Sequence, residues 1–321
     1  MGKKKYKCVI CLKTFDTEKS LHFHLRSHGI KTKEYYEKYF PKFDLLTGEK
    51  IEFKNVESYK KKYFLSATNF RLWRNSSESY EVQKFCKKLF EERKADGKIR
   101  YSPSEVELRS LMWPSVQESN EIFGDYYEFC SNIGLINKFK NYQDIEKPEP
   151  DEDYTIYVDT REQRPLKFES LATKVHGLKF GDYCRSDEKE SGSPMRIERK
   201  SLADFVSTLS PKNYDRFKRE IMKAADNNCF LVVLVESVFA NAMSFKRERE
   251  IGSKERIHKA TKMNPGYILK RMRDLCQEFS HIQFLFVDGR DESSRVMKEI
   301  FSNTWYYSQL DLQYMYDTSK L

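Results

Sequence analysis

Met195-Arg-Ile-Glu-Arg-Lys-Ser-Leu-Ala-Asp204 is the stretch on which the reading of the fold turns. Its first six residues predict a strand and the run from Leu202 to Leu209 a helix, with Ser201 and Asp204 forming a Ser-x-x-Asp capping box at the helix start. Alternate residues of a strand point to the same face, so Glu198 and Lys200 share one. Hydrolysing a phosphodiester requires a divalent cation held by carboxylates, which polarises the phosphoryl oxygen and activates water, and a positive charge near the nucleophile. Glu198 and Lys200 offer one group of each kind, whereas Asp204 is assigned to the cap and not to a metal.

Further acids stand at the ends of neighbouring candidate strands, in Val158-Asp-Thr-Arg-Glu162 and Gly181-Asp182. Strands are expected at Thr155–Val158, Leu178–Tyr183, Met195–Lys200, Phe230–Val235 and Gln283–Val287. Helices are expected at Leu202–Leu209, Tyr214–Ala225, Gly266–Phe279 and Glu292–Tyr307. Alternation of this kind predicts an α/β sheet with helices packed on its faces. His176 and His258 have no second ligand at metal spacing and read as surface residues.

The order Gly181-Asp182, fifteen residues, Glu198-Arg199-Lys200, three residues, Asp204 resembles the signature of the XPF-type nuclease domain, a branch of the restriction-endonuclease-like superfamily. The likeness covers about 154–288 and includes Asp159-Thr-Arg-Glu162 and a Tyr214-Asp-Arg-Phe217 helix. It implies a PD-(D/E)xK-type α/β nuclease domain at 154–310 and the activity of a metal-dependent DNA endonuclease. Residue by residue, it assigns Asp159, Asp182 and Glu198 to a catalytic Mg2+ or Mn2+ ion, Lys200 to the nucleophile, and Arg161, Glu162 and Arg199 to supporting roles. DNA is the implied substrate, and a homodimer or another nuclease as protein partner stays open. Cellular enzymes of this type usually carry paired helix-hairpin-helix elements after the nuclease, which have no counterpart before Leu321, so targeting is expected from other parts of the chain. A catalytically silent DNA-binding scaffold and a nuclease acting on RNA are the competing readings. The intact acids and lysine weigh against the first.

Cys8-x2-Cys11-x12-His24-x3-His28 has the ligand count and spacings of a tetrahedral two-Cys, two-His Zn2+ site, with Phe15 and Leu21 at the positions of its small core. It resembles the zinc finger of transcription factors, which implies a ββα unit at 6–28. His22 is out of register and is expected to be exposed. If the finger binds DNA as its relatives do, Thr17, Ser20 and Phe23 face the bases, and Lys19 and Ser20 are the DNA-binding candidates. A purely structural finger is the alternative, since one finger covers only about three base pairs.

A helical or mixed module is expected at 29–98, with helices at Lys33–Phe40 and Ser79–Ala95. A tri-helical, helix-turn-helix-like module follows at 102–140. It opens on Ser102-Pro-Ser-Glu105 as a capping box with Pro at the first helical position, and later helices start after Ser115 and Asp125. Gly29–Phe40 resembles segments of phage and mobile-element proteins, and Trp113–Leu135 the small helical repeats associated with homing endonucleases. Residues 141–153 read as an extended linker, because Asp144–Asp153 holds two prolines and six acids.

Charge supports a nucleic-acid partner. Residues 1–100 carry 25 Lys and Arg against 13 Asp and Glu, which favours binding of a polyanion. Arg247, Arg249, Lys254 and Arg256 belong to a second basic segment, either a phosphate-contacting loop or a solvated surface. No apolar run is long enough to span a bilayer, and Met1–Cys8 lacks the apolar core of a signal peptide. Seven scattered cysteines fit a reducing compartment. The expectation is a soluble intracellular protein with no membrane partner, in the cytoplasm of a bacterial host if phage-encoded or in the nucleus if eukaryotic.

Overall fold

The computed structural model describes residues 5–151, 153–186, 195–245 and 263–321. Contacts divide the chain into two units, Met1–Phe85 and Cys86–Leu321.

In the first unit, β1 (Tyr6–Lys7) pairs antiparallel with β2 (Thr14–Phe15), and α1 (Glu18–His24) follows. The Thr17 hydroxyl caps α1 by accepting the Ser20 amide at 3.1 Å. A 3-10 turn, Leu25–His28, ends at Gly29, whose φ of 64° is left-handed. Then come α2 (Thr32–Tyr39), α3 (Val56–Lys61) and α4 (Ala67–Ser76), while α5 (Ser79–Ala95) straddles the division between units. The separation expected after residue 28 is not a break in packing. Cys8, Leu21 and Leu25 share one core with Tyr35, Tyr36, Ile51 and Tyr59, and the Val9 amide donates to the Tyr35 hydroxyl at 3.0 Å. So short a hairpin and helix bury little apolar surface alone, and the aromatic residues of α2 and α3 extend that core.

The second unit begins with α6 (Glu105–Leu111), α7 (Val116–Phe123) and α8 (Tyr126–Asn132). Ser115 and Asp125 cap α7 and α8 as the sequence predicts. The cap of α6 lies two residues later than expected: Ser104 is the N-cap and Glu107 its box partner, with the Ser104 amide donating to Glu107 Oε2 at 2.9 Å. Glu105 is free of that duty and turns inward, where its carboxylate accepts the Val116 amide at 2.7 Å.

Among the described residues six strands follow: β3 (Thr155–Asp159), β4 (Ala172–His176), β5 (Tyr183–Arg185), β6 (Met195–Lys200), β7 (Phe230–Glu236) and β8 (Ile282–Val287). They form one mixed sheet in the order β4-β3-β5-β6-β7-β8, antiparallel at β3-β5 and β5-β6 and parallel elsewhere. β7 and β8 are apolar runs buried on both faces, as parallel strands covered by helices must be. One face is covered by α9 (Leu202–Thr208), α10 (Tyr214–Asp226), α11 (Phe239–Ser244) and α12 (Pro265–Glu278). The other is covered by α13 (Gly289–Ser302), α14 (Thr304–Ser308) and α15 (Leu312–Asp317).

The expected strand at Leu178–Tyr183 is displaced to Tyr183–Arg185, because Gly181 adopts a left-handed φ of 72° and breaks the extended run. β4 was not expected: every residue in it is exposed, so it has no apolar signature. The single helix expected at Glu292–Tyr307 is two helices, broken at Asn303, whose side chain accepts the Tyr306 amide to start α14.

Neither the helices at 102–140 nor the acidic segment stand apart from the sheet. The Glu105 amide donates to Asp311 at 2.6 Å, Arg109 pairs with Asp317, and the Lys138 ammonium meets the carbonyls of Cys276 and Ile282. Within the segment expected as a linker, Asp151 pairs with Arg185 at 2.6 Å and Lys147 with Glu299 at 2.9 Å, so charge anchors a stretch that has little to bury. Among the described residues no helix is long and apolar enough to cross a membrane.

Burial pushes the Glu105 carboxyl up to about 8, with the neighbouring Asp311 charge adding to the effect. In the unfolded chain a glutamate titrates near 4.5, so the folded protein holds a proton there that the unfolded chain has lost. The resulting stability is fully present below about 4.5 and is lost as pH rises through about 8. Glu105→Gln keeps the acceptor for Val116 without the charge. Thermal melts across this range should show the variant gaining on wild type as pH rises, whereas parallel curves would contradict the assignment.

Candidate active site and metal cluster

Adjacent strands set three acids in a row. The Asp159 amide at the end of β3 donates to the Asp182 carbonyl at 2.8 Å, and the Asp182 amide donates to the Ile197 carbonyl on β6 at 2.8 Å. Glu198 is the next residue of β6. The Asp182 carboxylate accepts the Arg199 amide at 2.9 Å, and Glu198 Oε1 pairs with Lys200 Nζ at 2.8 Å. Lys200 Nζ also lies over the Phe217 ring at 5.5 Å, which steers the ammonium along the sheet face. Burial, and then the charge of Glu198, push the Asp182 carboxyl up to about 7, against the opposing pull of the Arg199 amide and Lys200.

Asp159 is placed differently from its neighbours. It is 2 % exposed, its Oδ1 accepts from Arg161 N and Nε at 2.9 and 2.5 Å, and its Oδ2 accepts the Leu178 amide at 2.7 Å. Burial alone would raise its pKa, but Arg161 and the amides hold it below the usual carboxylate range. The structure therefore brings Asp182, Glu198 and Lys200 together and gives Asp159 to the turn at its own strand end.

Alternation along β6 sends Arg199 to the opposite face. There it makes a bidentate pair with Glu162, at 2.9 and 3.2 Å, and meets Glu236 at 2.7 Å. All three side chains are nearly buried. Arg290 completes the group, 3.8 Å from Glu236 and donating to the carbonyls of Arg164 and Pro165. Sequence reading missed Glu236 and Arg290. The signal for Glu236 was a lone acid closing the apolar run Phe230–Val235; Arg290 had none. Ser201 is the N-cap of α9, accepting the Asp204 amide at 3.1 Å, while the Asp204 carboxylate accepts the Ser201 hydroxyl at 2.7 Å in place of the backbone amide of a full capping box. His176 sits on exposed β4 beside the Tyr157 ring.

In the first unit, Cys8, Cys11, His24 and His28 converge, with one ligand atom from each within 4.8 Å of the others. Cys8 Sγ to His28 Nε2 is 3.7 Å, Cys11 Sγ to His24 Nε2 is 3.1 Å, and the two Nε2 atoms are 3.1 Å apart. Ligands at about 2.3 Å (S) and 2.0–2.1 Å (N) around a tetrahedral ion have separations of about 3.3–3.8 Å; the Cys8–His28 pair falls in that range and the other two lie slightly below it, so two thiols and two imidazoles, the donor types of a Zn2+ site, gather at close to that spacing. Among the described residues this is the one group of three or more His, Cys, Asp and Glu with ligand atoms this close together. His22 is half-buried, not exposed, because its ring meets the Tyr36 hydroxyl at 3.2 Å. Thr17, Lys19, Ser20 and Phe23 are exposed, but the Thr17 and Ser20 hydroxyls bond each other at 2.7 Å. Arg247, Arg249, Lys254, Arg256 and His258 lie outside the described residues.

Part of the sequence matches a known family. Residues 158–300 match the ERCC4 domain. This is the XPF-type nuclease domain, and the match includes Asp159, Asp182, Glu198 and Lys200. XPF from Aeropyrum pernix is similar at 19% identity and a TM-score of 0.32, covering 46% of this chain and 64% of that one. The same protein in a complex with DNA gives 18% identity and a TM-score of 0.30, over 45% of this chain and 62% of that one. The chain thus spans less than two thirds of the length of these XPF chains. No curated protein matches the sequence.

The ion group around Arg199 makes a direct prediction. Arg199→Met leaves Glu162 and Glu236 as facing carboxylates without their cation, and removing one partner of a buried pair costs about 3–5 kcal/mol. Urea denaturation of the variant should show that loss. A change within about 0.5 kcal/mol, the range of ordinary surface substitutions, would mean that the group contributes no net stability.

Proposed function

We propose that the chain is a divalent-metal-dependent DNA endonuclease. The observation that carries this is the pairing of the Asp182 and Glu198 carboxylates on adjacent strands beside Lys200, within a segment matching the ERCC4 domain. Burial, and then the charge of Glu198, push the Asp182 carboxyl up to about 7, and a cation bound beside it would favour its ionised form. Carboxylate oxygens are hard donors and suit Mg2+ or Mn2+. When bound, a divalent ion would polarise the scissile phosphoryl group and activate water.

The chain's own residues do the rest. Asp182 and Glu198 would hold the ion. Lys200, held by Glu198 and Phe217, presents its ammonium to the attacking water and to the charge developing at phosphorus. Arg199, Glu162, Glu236 and Arg290 fix the strand ends from the opposite face. Asp159 would be a third ligand only if Arg161, whose side chain is 65 % exposed, released both Oδ1 and the Leu178 carbonyl.

Glu198→Ala and Lys200→Ala should each lower Mg2+-dependent cleavage of plasmid and branched DNA by at least about 1,000-fold, the scale of removing a charge-stabilising group, while DNA binding persists. Full activity in either variant contradicts the assignment. Cutting of RNA in place of DNA would transfer the same chemistry to another substrate.

The first unit carries Zn2+ on Cys8, Cys11, His24 and His28, and it directs the nuclease to DNA through the face that holds Lys19, Ser20 and Phe23. Metal and core are coupled, because Cys8 is itself buried among Leu21, Leu25 and Tyr35. Purified protein should contain one zinc per chain. Cys8→Ser should lose the metal by elemental analysis and weaken DNA binding; retained zinc or unchanged binding removes the finger from targeting.

A further inference from the structure

Arg196 stands two residues before Glu198 on β6, so it shares the sheet face of Glu198 and Lys200. It is 5 % exposed and forms no ion pair among the described residues. Its Nη1 donates to the Phe180 carbonyl at 3.1 Å, its guanidinium lies 4.3 Å from the centre of the Phe180 ring, and its Nε is buried without a hydrogen-bond partner. A buried guanidinium with an unsatisfied Nε is costly to the fold, because that donor loses water without replacement. Leucine or valine would fill a strand position facing a core at no such cost.

The location of that one acceptor accounts for the arginine. Phe180 begins the turn Phe180-Gly181-Asp182, which leaves the extended path at Gly181 with φ of +72°. A Cβ on Gly181 would stand 3.2 Å from Arg196 Cβ and 3.5 Å from the Ile197 carbonyl, so the turn lies directly on the Arg196 stem. On the far side of the glycine, the Asp182 amide donates to that same Ile197 carbonyl at 2.8 Å. The turn is therefore held to β6 at both ends, by Arg196 at Phe180 and by Ile197 at Asp182. Its position sets the distance between the Asp182 and Glu198 carboxylates.

We propose that Arg196 is a positioning residue for the metal site, clamping the Phe180-Gly181-Asp182 turn against β6 so that Asp182 is held beside Glu198. The inference rests on the nuclease reading given above. Arg196 touches no reacting group; it acts through Asp182.

Three proteins test this: wild type, Arg196→Met, which keeps the apolar stem but cannot donate, and Arg196→Lys, which can still reach the Phe180 carbonyl. Hydrogen exchange of the Asp182 amide in metal-free protein reads the clamp directly, and Mn2+ titration followed by electron paramagnetic resonance reads its consequence. Arg196→Met should exchange the Asp182 amide faster than wild type and bind Mn2+ more weakly by roughly 10- to 100-fold, the scale for losing a group that orients a ligand. Its kcat should fall while its KM for DNA is unchanged, and its circular dichroism should match wild type. Arg196→Lys should recover Mn2+ affinity to within about threefold, since it restores the one donor. Wild-type exchange and Mn2+ affinity in Arg196→Met overturn the proposal, as does an equal loss of overall fold in both variants, which would make Arg196 a core residue only. If wild type fails to cut DNA, the nuclease reading fails instead, and exchange and Mn2+ binding still decide the role of Arg196.

Discussion

The central constraint on the second unit is the close approach of two carboxylates that repel one another. Asp182 and Glu198 reach that approach because β5 and β6 are antiparallel neighbours and the Asp182 amide is tied to the Ile197 carbonyl at 2.8 Å. Left to itself, such a pair would separate or take up a proton. The sheet prevents separation: β6 continues through β7 into β8, and helices cover both faces. The energy that holds like charges together comes from apolar burial along those strands and not from the site.

Alternation along one strand divides the labour. Arg196, Glu198 and Lys200 share one face and Arg199 takes the other, so Glu198-Arg-Lys200 serves two separate groups of charges. On the first face Lys200 pairs with Glu198, and the Asp182 carboxylate accepts the Arg199 amide. On the other face Arg199 is well supplied with carboxylates from Glu162 and Glu236. A strand end braced from behind can keep its reactive face open. The helices of 105–132 add to this bracing through the buried Glu105 and Asp311 and through Arg109 with Asp317.

Much of this was legible in the sequence, for identifiable reasons. β6, β7 and α9 carry strong local signals: two-residue alternation, a long apolar run, and a Ser-x-x-Asp cap. The four zinc-type ligands were legible because their spacing is short and local. What escaped depended on tertiary packing. β4 has no buried face and therefore no pattern. β5 was misplaced because Gly181 turns left-handed where it packs against the Arg196 stem, a contact between separate strands. The packing of 141–153 on the second unit follows from pairs such as Asp151 with Arg185, which a charge count reads as repulsion. Asp159 resembles a metal ligand in sequence, while its commitment to Arg161 and Leu178 emerges only from the folded turn.

The central claim is that Asp182 and Glu198 form a single divalent-cation site. Anomalous diffraction from crystals of the whole chain soaked in Mn2+ measures this directly. A manganese peak should lie between the two carboxylates, with Lys200 Nζ beside it, and should weaken in Glu198→Ala. A protein that cuts DNA with manganese bound elsewhere, or with no peak between Asp182 and Glu198, would contradict it.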